Sequence, residues 1–234
     1  AQGLVTAYAS DMPGGDQIYD LLFTNSSAYA NGDNGAPSFT PAVLRFTPGI
    51  TAGPSATSIA PPAAQSAFAT LAHGPNGAIV VATEQSLFTF SNGAFSLIAT
   101  LPVPGGVCGV LYSGDAFWVT QSLFFHDSLG TGRWSSRIDK VTTQGAVTSY
   151  AVPSSGRPAC APYLQGQDQI AIAPSGAIYY NENNADKIAR LNPATGTTVE
   201  YAPGIGATMG VAVDARGVVW VAGSNGEIAE ISGF

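Results

Sequence analysis

One stretch of this chain occurs three times. Residues 145–157 read GAVTSYAVPSSGR, residues 3–15 read GLVTAYASDMPGG, and residues 196–206 read GTTVEYAPGIG. The sequence therefore opens partway through a repeating unit and stops just short of the same point. A chain arranged this way is expected to close on itself, its first segment completing the structure that its last segment leaves unfinished.

Aligning the chain on itself gives five units of roughly 40 to 50 residues. The fourth is the clearest, with DQIAIAPSG (168–176), AIYYNEN (177–183), KIARLNPATG (187–196) and TTVEYAP (197–203). Each piece is a short run of alternating apolar residues ended by glycine, proline or asparagine, which predicts a strand followed by a turn. The second unit repeats the order with AFATLAHGPNG, AIVVATEQ, SLFTFSNG and AFSLIATLPVPG. The third does so with VCGVLYSGD, AFWVTQ, RIDKVTTQG and AVTSYAVP. The first is more degenerate, with a long loop over 26–41 after DQIYDLLFTNSS. The fifth, MGVAVDARG, VVWVAGS and GEIAEISGF, lacks a fourth strand, and the unassigned strand is GLVTAYAS at 3–10.

A four-stranded antiparallel sheet cannot bury both of its faces alone. Stacking such sheets radially buries them, and closing the ring leaves only short edges. The expected fold is therefore all-β: a single domain over residues 1–234, a five-bladed β-propeller whose N-terminal strand joins the last blade. Trp118 and Trp220 share one repeat position, as do Val80 and Tyr179, so these four are expected to pack between blades.

Composition agrees. Charged residues make up 10% and hydrophobic residues 45% of the chain, with 28 glycines and 16 prolines for turns. The net charge of −7, with Lys140 and Lys187 the only lysines, argues against a nucleic-acid partner, because phosphate binding needs clustered cations. No apolar run reaches the ~20 residues of a spanning helix, so no membrane insertion is expected. The opening Ala-Gln reads as a mature N-terminus left by signal-peptide cleavage, and a secreted or periplasmic protein is the expectation. In that setting Cys108 and Cys160 are read as a disulfide, with two buried thiols as the alternative; they fit no zinc pattern. Asn25-Ser26-Ser27 is an N-glycosylation sequon, meaningful only in a eukaryotic secretory protein.

PSGAIYYNENNADKIARLNPATGTTVEYAP and GVAVDARGVVWVAGSNGEIAEI resemble the repeat of streptogramin B lyase-like (virginiamycin B lyase-like) propellers and, more distantly, NHL and SMP-30/gluconolactonase propellers. The shared pattern is a small-residue strand, an Asp-x-x-Gly-like turn, an aromatic strand, and a segment that here is Asp186-Lys187-Ile188-Ala189-Arg190-Leu191. The resemblance covers the last two units well and the others faintly. It implies the propeller fold, in rings of more blades than five, and metal-dependent lyase or lactonase-like chemistry. The family's second strand often ends in glutamate. Glu182 stands in that register, with Thr83, Gln121 and Gly223 at the equivalent places. The lyases use a histidine beside glutamates and a magnesium ion; here the histidines are His73 and His126.

Long insertions point to a binding end. Segments 26–41, 121–136, 154–167 and 182–186 all fall where second strands join third strands or where one unit joins the next, whereas the turns of the other end (PNG, PSG, ARG, PATG) are minimal. Binding residues concentrate on such loops. The 121–136 loop offers Phe124, Phe125, His126, Asp127, Arg133 and Trp134: a ring to stack and polar groups to orient a sugar or flat organic ligand, unless the aromatics tuck into the blade. Tyr163, Asn183 and Asn184 complete the candidate ligand-binding set. As a catalytic set, His126 would act as base with Asp127 and Glu182, the latter two also metal ligands. Asp33, Glu84, Asp127, Glu182 and Asp186 map to this rim, which either collects one divalent cation, Ca²⁺ or Mg²⁺, or is a solvated acidic edge; the cofactor is otherwise unknown.

The expected function is a secreted propeller that binds a small molecule, glycan or protein through its long-loop face. A metal-dependent lyase or lactonase-like hydrolase is one alternative. A structural subunit of a surface assembly, with oligomers formed through its low-charge surface, is the other.

Overall fold

The structure is a computed structural model and describes residues 17–24, 27–33, 41–46, 56–59, 70–83, 85–102, 106–126, 128–153, 170–182 and 185–232. The alternating segments form strands and the glycine- and asparagine-bearing segments between them form turns. In the first sheet β1 (Gln17–Phe23), β2 (Ala28–Asp33), β3 (Pro41–Phe46) and β4 (Ala56–Ile59) pair in order. The second contains β5 (Thr70–His73), β6 (Ile79–Ala82), β7 (Ser86–Ser91) and β8 (Ala94–Thr100). The third contains β9 (Gly106–Ser113), β10 (Ala116–His126), β11 (Gly132–Thr142) and β12 (Val147–Ala151). The fourth contains β13 (Ile170–Ile172), β14 (Ile178–Glu182), β15 (Lys187–Asn192) and β16 (Thr197–Tyr201). The fifth holds three described strands, β17 (Thr208–Val213), β18 (Val219–Gly223) and β19 (Ile228–Ile231). Every neighbouring pair is antiparallel. The segment expected to supply a fourth strand here, 3–10, lies outside the described residues.

Tight turns hold one end of the sheets. Asn92 and Gly93, at φ 51° and 81°, form the two-residue hairpin between β7 and β8 that the Asn-Gly pair favours. His73, exposed at the last position of β5, sits at this same end.

Strand alternation sends successive residues to opposite faces, so the second, third and fourth sheets each bury one set against the sheet before and the other against the sheet after. Leu22, Tyr29 and Val43 pack with Leu71, Ile79 and Val81, joining the first sheet to the second. Val80, Ala82 and Leu87 pack with Val110, Phe117 and Val119, joining the second to the third. Trp118 and Ile138 meet Ile178, Tyr180 and Leu191, and Tyr179 and Ile188 meet Val211, Val219 and Val221. Complete burial of each such side chain contributes about 1.5–3 kcal/mol. Val80, Trp118 and Tyr179 are buried between successive sheets, as their shared repeat position predicts. Trp220, at the same position in the fifth sheet, is 38% exposed.

Two expected loops are strands instead. Residues 28–33, inside the loop assigned to 26–41, form β2, which pairs along its length with β3 and, through one register shift between Ile18 and Asp20, with β1. Most of 121–136 belongs to β10 and β11, which pair without interruption from Ala116–Thr142 to His126–Gly132. A long hairpin satisfies its own backbone groups across the ladder, which an irregular excursion of that length could not.

Candidate functional site

Buried polar residues mark one end of the sheets. Thr70, Thr83, Ser86, Thr120, Gln121, Ser122, Asn181, Glu182 and Thr208 are all buried and all lie where first strands begin, second strands end or third strands begin. Among the described residues only Ser27 and Asp139 are buried polar groups elsewhere. The opposite end, whose described turns run from two to five residues, has almost none among the described residues. Buried polar groups are retained where they bond one another or a ligand.

Second-strand termini supply the recurring position Thr83, Gln121, Glu182 and Gly223, and each is used differently. The Thr83 hydroxyl donates to the Ser86 carbonyl at 3.2 Å and accepts from the Ser86 N–H at 3.1 Å, closing the β6–β7 turn. Gln121 accepts from Arg137, with Nη2 at 2.6 Å and Nε at 3.0 Å. Glu182, 0% exposed, pairs across the ladder with Lys187. The Lys187 ammonium donates to Glu200 Oε2 at 2.6 Å; that hydrogen bond, with the charges of Glu200 and Glu182, holds its pKa above the usual lysine range. Thr208 donates to the Lys187 carbonyl at 2.8 Å and ties the fifth sheet to the fourth. Burial, reinforced by the charge of Glu182, pushes the Tyr180 hydroxyl above the usual phenol range.

At the fourth occurrence there is no room for a side chain. A Cβ on Gly223 would overlap the Ile205 carbonyl and lie 2.9 Å from the Ile205 side chain. Gly223→Ala is therefore expected to destabilise the protein by about 1–3 kcal/mol, read as a lowered urea midpoint with an unchanged slope.

From this polar layer the β10–β11 hairpin continues outward. β9 pairs with β10 no farther than Ser122, and β12 pairs with β11 no farther than Arg137. Residues 123–126 and 132–135 therefore stand as a two-stranded ribbon, about 13 Å of extended chain beyond the sheet. Its register sets Phe124 opposite Trp134, Phe125 opposite Arg133 and His126 opposite Gly132. Residues opposite one another share a face, so positions 124 and 134 lie on one face of the ribbon and 125 and 133 on the other. His126 ends β10 five positions beyond Gln121, about 16 Å along the strand from the level of Glu182.

The structure thus brings Phe125, His126, Arg133 and Trp134 onto one ribbon and sets Glu182 in the layer beneath. Asp127, Tyr163, Asn183, Asn184 and Cys160 lie outside the described residues. Cys108 is fully buried on β9. Among the described residues no three His, Cys, Asp or Glu side chains gather as a metal site. Glu182 contributes one carboxylate beside an ammonium, whereas a hard cation needs about six oxygens. The described side chains do not make a cation site by themselves.

The sequence did not single out the network that supports the ribbon. Arg137 Nε also donates to Asp139 Oδ2 at 3.0 Å, and Ser149 donates to Asp139 Oδ1 at 2.6 Å. Burial raises the Asp139 pKa, against the opposing pull of Ser149 and Arg137. The available signal was Arg137 and Asp139 two apart on a strand otherwise destined for burial.

These stacked antiparallel sheets define a β-propeller-type fold. No protein-family model matches the chain, and no curated protein matches it in sequence. Among solved structures the fold is similar to virginiamycin B lyase from Staphylococcus aureus, with TM-score 0.66 and 15% identity over 97% of this chain and 72% of that one. It is also similar to a gluconolactonase-type propeller, with TM-score 0.60 and 12% identity over 93% of this chain and 78% of that one. A third similar structure is regucalcin from Agrobacterium tumefaciens, a calcium-binding protein, with TM-score 0.56 and 20% identity over 97% and 79% of the two chains. The fold is streptogramin lyase/SMP-30-like.

Proposed function

We propose that this protein binds a small organic molecule or glycan at the end of its sheets that carries the β10–β11 ribbon. The confinement of nearly all described buried polar side chains to that end carries the reading. A ligand held there would stack on Phe125 and be oriented by Arg133 on one face of the ribbon, or stack on Trp134 on the other, with Tyr163, Asn183 and Asn184 as further contacts. The reading includes a ring of five blades closed by residues 3–10, and a disulfide between Cys108 and Cys160. Cys108 is fully buried on β9, and the chain's other cysteine, Cys160, lies outside the described residues.

A second reading, metal-dependent lyase or lactonase-like catalysis, is supported by the kind of enzyme that shares the fold and by the burial of Glu182 at the family's glutamate position. In it His126 is the base, Asp127 and Glu182 are ligands, and a calcium or magnesium ion is the cofactor, as the calcium-binding neighbour suggests.

The test is titration with an oligosaccharide panel, glucono-1,5-lactone and quinupristin, with and without calcium or magnesium chloride, followed by tryptophan fluorescence and product analysis. A probe that binds the wild type and is weakened at least tenfold by Trp134→Ala, at unchanged Tm, supports the binding reading. Turnover abolished by Glu182→Gln and by chelation supports the enzymatic one. Binding that ignores substitutions at Phe125, Arg133 and Trp134 refutes the proposed site.

A further inference from the structure

We infer that Arg137 is a positioning residue: its guanidinium, held between Gln121 and the buried Asp139, fixes the direction in which the β10–β11 ribbon leaves the third sheet. The inference rests on the reading of that ribbon as ligand-binding for its functional meaning, but not for its geometry.

A two-stranded hairpin with no further neighbours is marginal by itself. Beyond Ser122 and Ser136 the ribbon has only its own ladder among the described strands, so its direction is set where it joins the sheet. That root carries one polar cross-strand pair on each face. Ser122 and Ser136 share a hydrogen bond of 2.9 Å on the face toward the fourth sheet. Gln121 and Arg137 form the pair on the face toward the second.

The two pairs are not equivalent. The hydrogen bond between the serine side chains runs only between the two ribbon strands. The arginine reaches past the ribbon: Nε is shared between Gln121 Oε1 and Asp139 Oδ2, both at 3.0 Å, while Nη2 holds Gln121 at 2.6 Å. Asp139 is 0% exposed and is held in turn by Ser149 of β12. The chain of contacts therefore runs from Ser149 of β12 through Asp139 and Arg137 to Gln121 at the root of the ribbon. Ala72, Val80, Ala82, Leu87 and Ala99 of the second sheet belong to the apolar cluster packed on this face. A planar fork can hold two acceptors in fixed directions; an ammonium cannot. Trp134 lies three residues from Arg137 along β11, so a small rotation at the root becomes a displacement at the candidate ligand contact.

The experiment is amide hydrogen exchange on the ligand-free protein. Gln121→Ala removes the outer half of the brace and leaves the Arg137–Asp139 ion pair intact; Arg137→Lys keeps the charge and loses the fork. In both variants the amides of 123–126 and 132–135 are expected to exchange at least tenfold faster, while those of 117–120 and 138–141 stay within twofold of wild type. Trp134 fluorescence anisotropy, read in a Trp118→Phe/Trp220→Phe background, is expected to fall in step. Exchange that is unchanged in the ribbon, or that rises equally throughout the third sheet, overturns the inference. Because no ligand is present, this outcome is independent of whether Trp134→Ala weakens a bound probe: the brace can fail with the site intact, and the site can fail with the brace intact.

Discussion

Arg137→Met is expected to cost about 3–5 kcal/mol of folding stability at neutral pH, because it leaves the Asp139 carboxylate buried without its cation. The remaining partner among those bonds, the Ser149 hydroxyl, can donate one hydrogen bond but cannot balance a charge. The loss should depend on pH, and its sign follows from the direction of the Asp139 shift. Burial already raises this carboxyl above the ordinary 3.8, with Ser149 and Arg137 pulling it down. A native carboxyl that holds its proton more tightly than the unfolded chain adds stability fully below the unfolded pKa, and that contribution is lost as pH rises through the native value. Removing Arg137 deletes two of the lowering influences, so the native value climbs further and the contribution is lost over a wider span. The deficit against wild type is therefore full at pH 7.5 and shrinks as pH falls toward 4, where Asp139 is protonated in the variant. Adding Asp139→Asn to Arg137→Met should recover part of the loss at pH 7.5 and none at low pH. Urea unfolding at the two pH values checks this. A deficit under 1 kcal/mol, or one independent of pH, would show that the pair contributes little.

What could be read in the sequence was whatever repeats. Val80, Trp118 and Tyr179 recur at one place in successive units, and a recurring position in stacked sheets faces the same kind of neighbour each time. Glu182 was found the same way, by register with Thr83, Gln121 and Gly223. The ribbon does not repeat, and it was read as a loop. Leu123-Phe124-Phe125 breaks the alternation that identifies a half-buried strand, and Gly130 and Gly132 look like loop composition. Those residues are held as strands by pairing across the hairpin, a contact that local pattern does not encode. β2 was missed for a related reason: Asn31-Gly32 carries a strong turn signal, yet both residues pair with β1 and β3. The Arg137–Asp139–Ser149 network became visible only after the register was known, since Asp139 meets Ser149 by cross-strand pairing alone.

Trp118→Ala is expected to cost about 3–5 kcal/mol, and Trp220→Ala, at the same repeat position, about 1–2 kcal/mol. Trp118 is 4% exposed between the third and fourth sheets. Its ring stacks on Tyr150, with centroids 6.0 Å apart and planes 28° from parallel, and the Lys140 ammonium lies 5.5 Å from its centroid. Truncation would leave a large cavity lined by side chains that are already close-packed and cannot collapse into it. Trp220 stands on the outward face of the fifth sheet with Ala212, Ala222 and Ile228, beside an apolar groove of about 220 Å³. Ile228 is itself 71% exposed. That face is the least covered of those that carry the repeat position, so less burial is lost when the ring is removed. The comparison also reads the proposed closure of the ring, because the first sheet would have to pack on this face. Equal losses at the two tryptophans, measured by urea unfolding under the same conditions, would show the face to be as well covered as the interface between the third and fourth sheets. A loss at Trp220 below 0.5 kcal/mol, in the range of ordinary surface substitutions, would show that nothing packs there and would count against a ring of five.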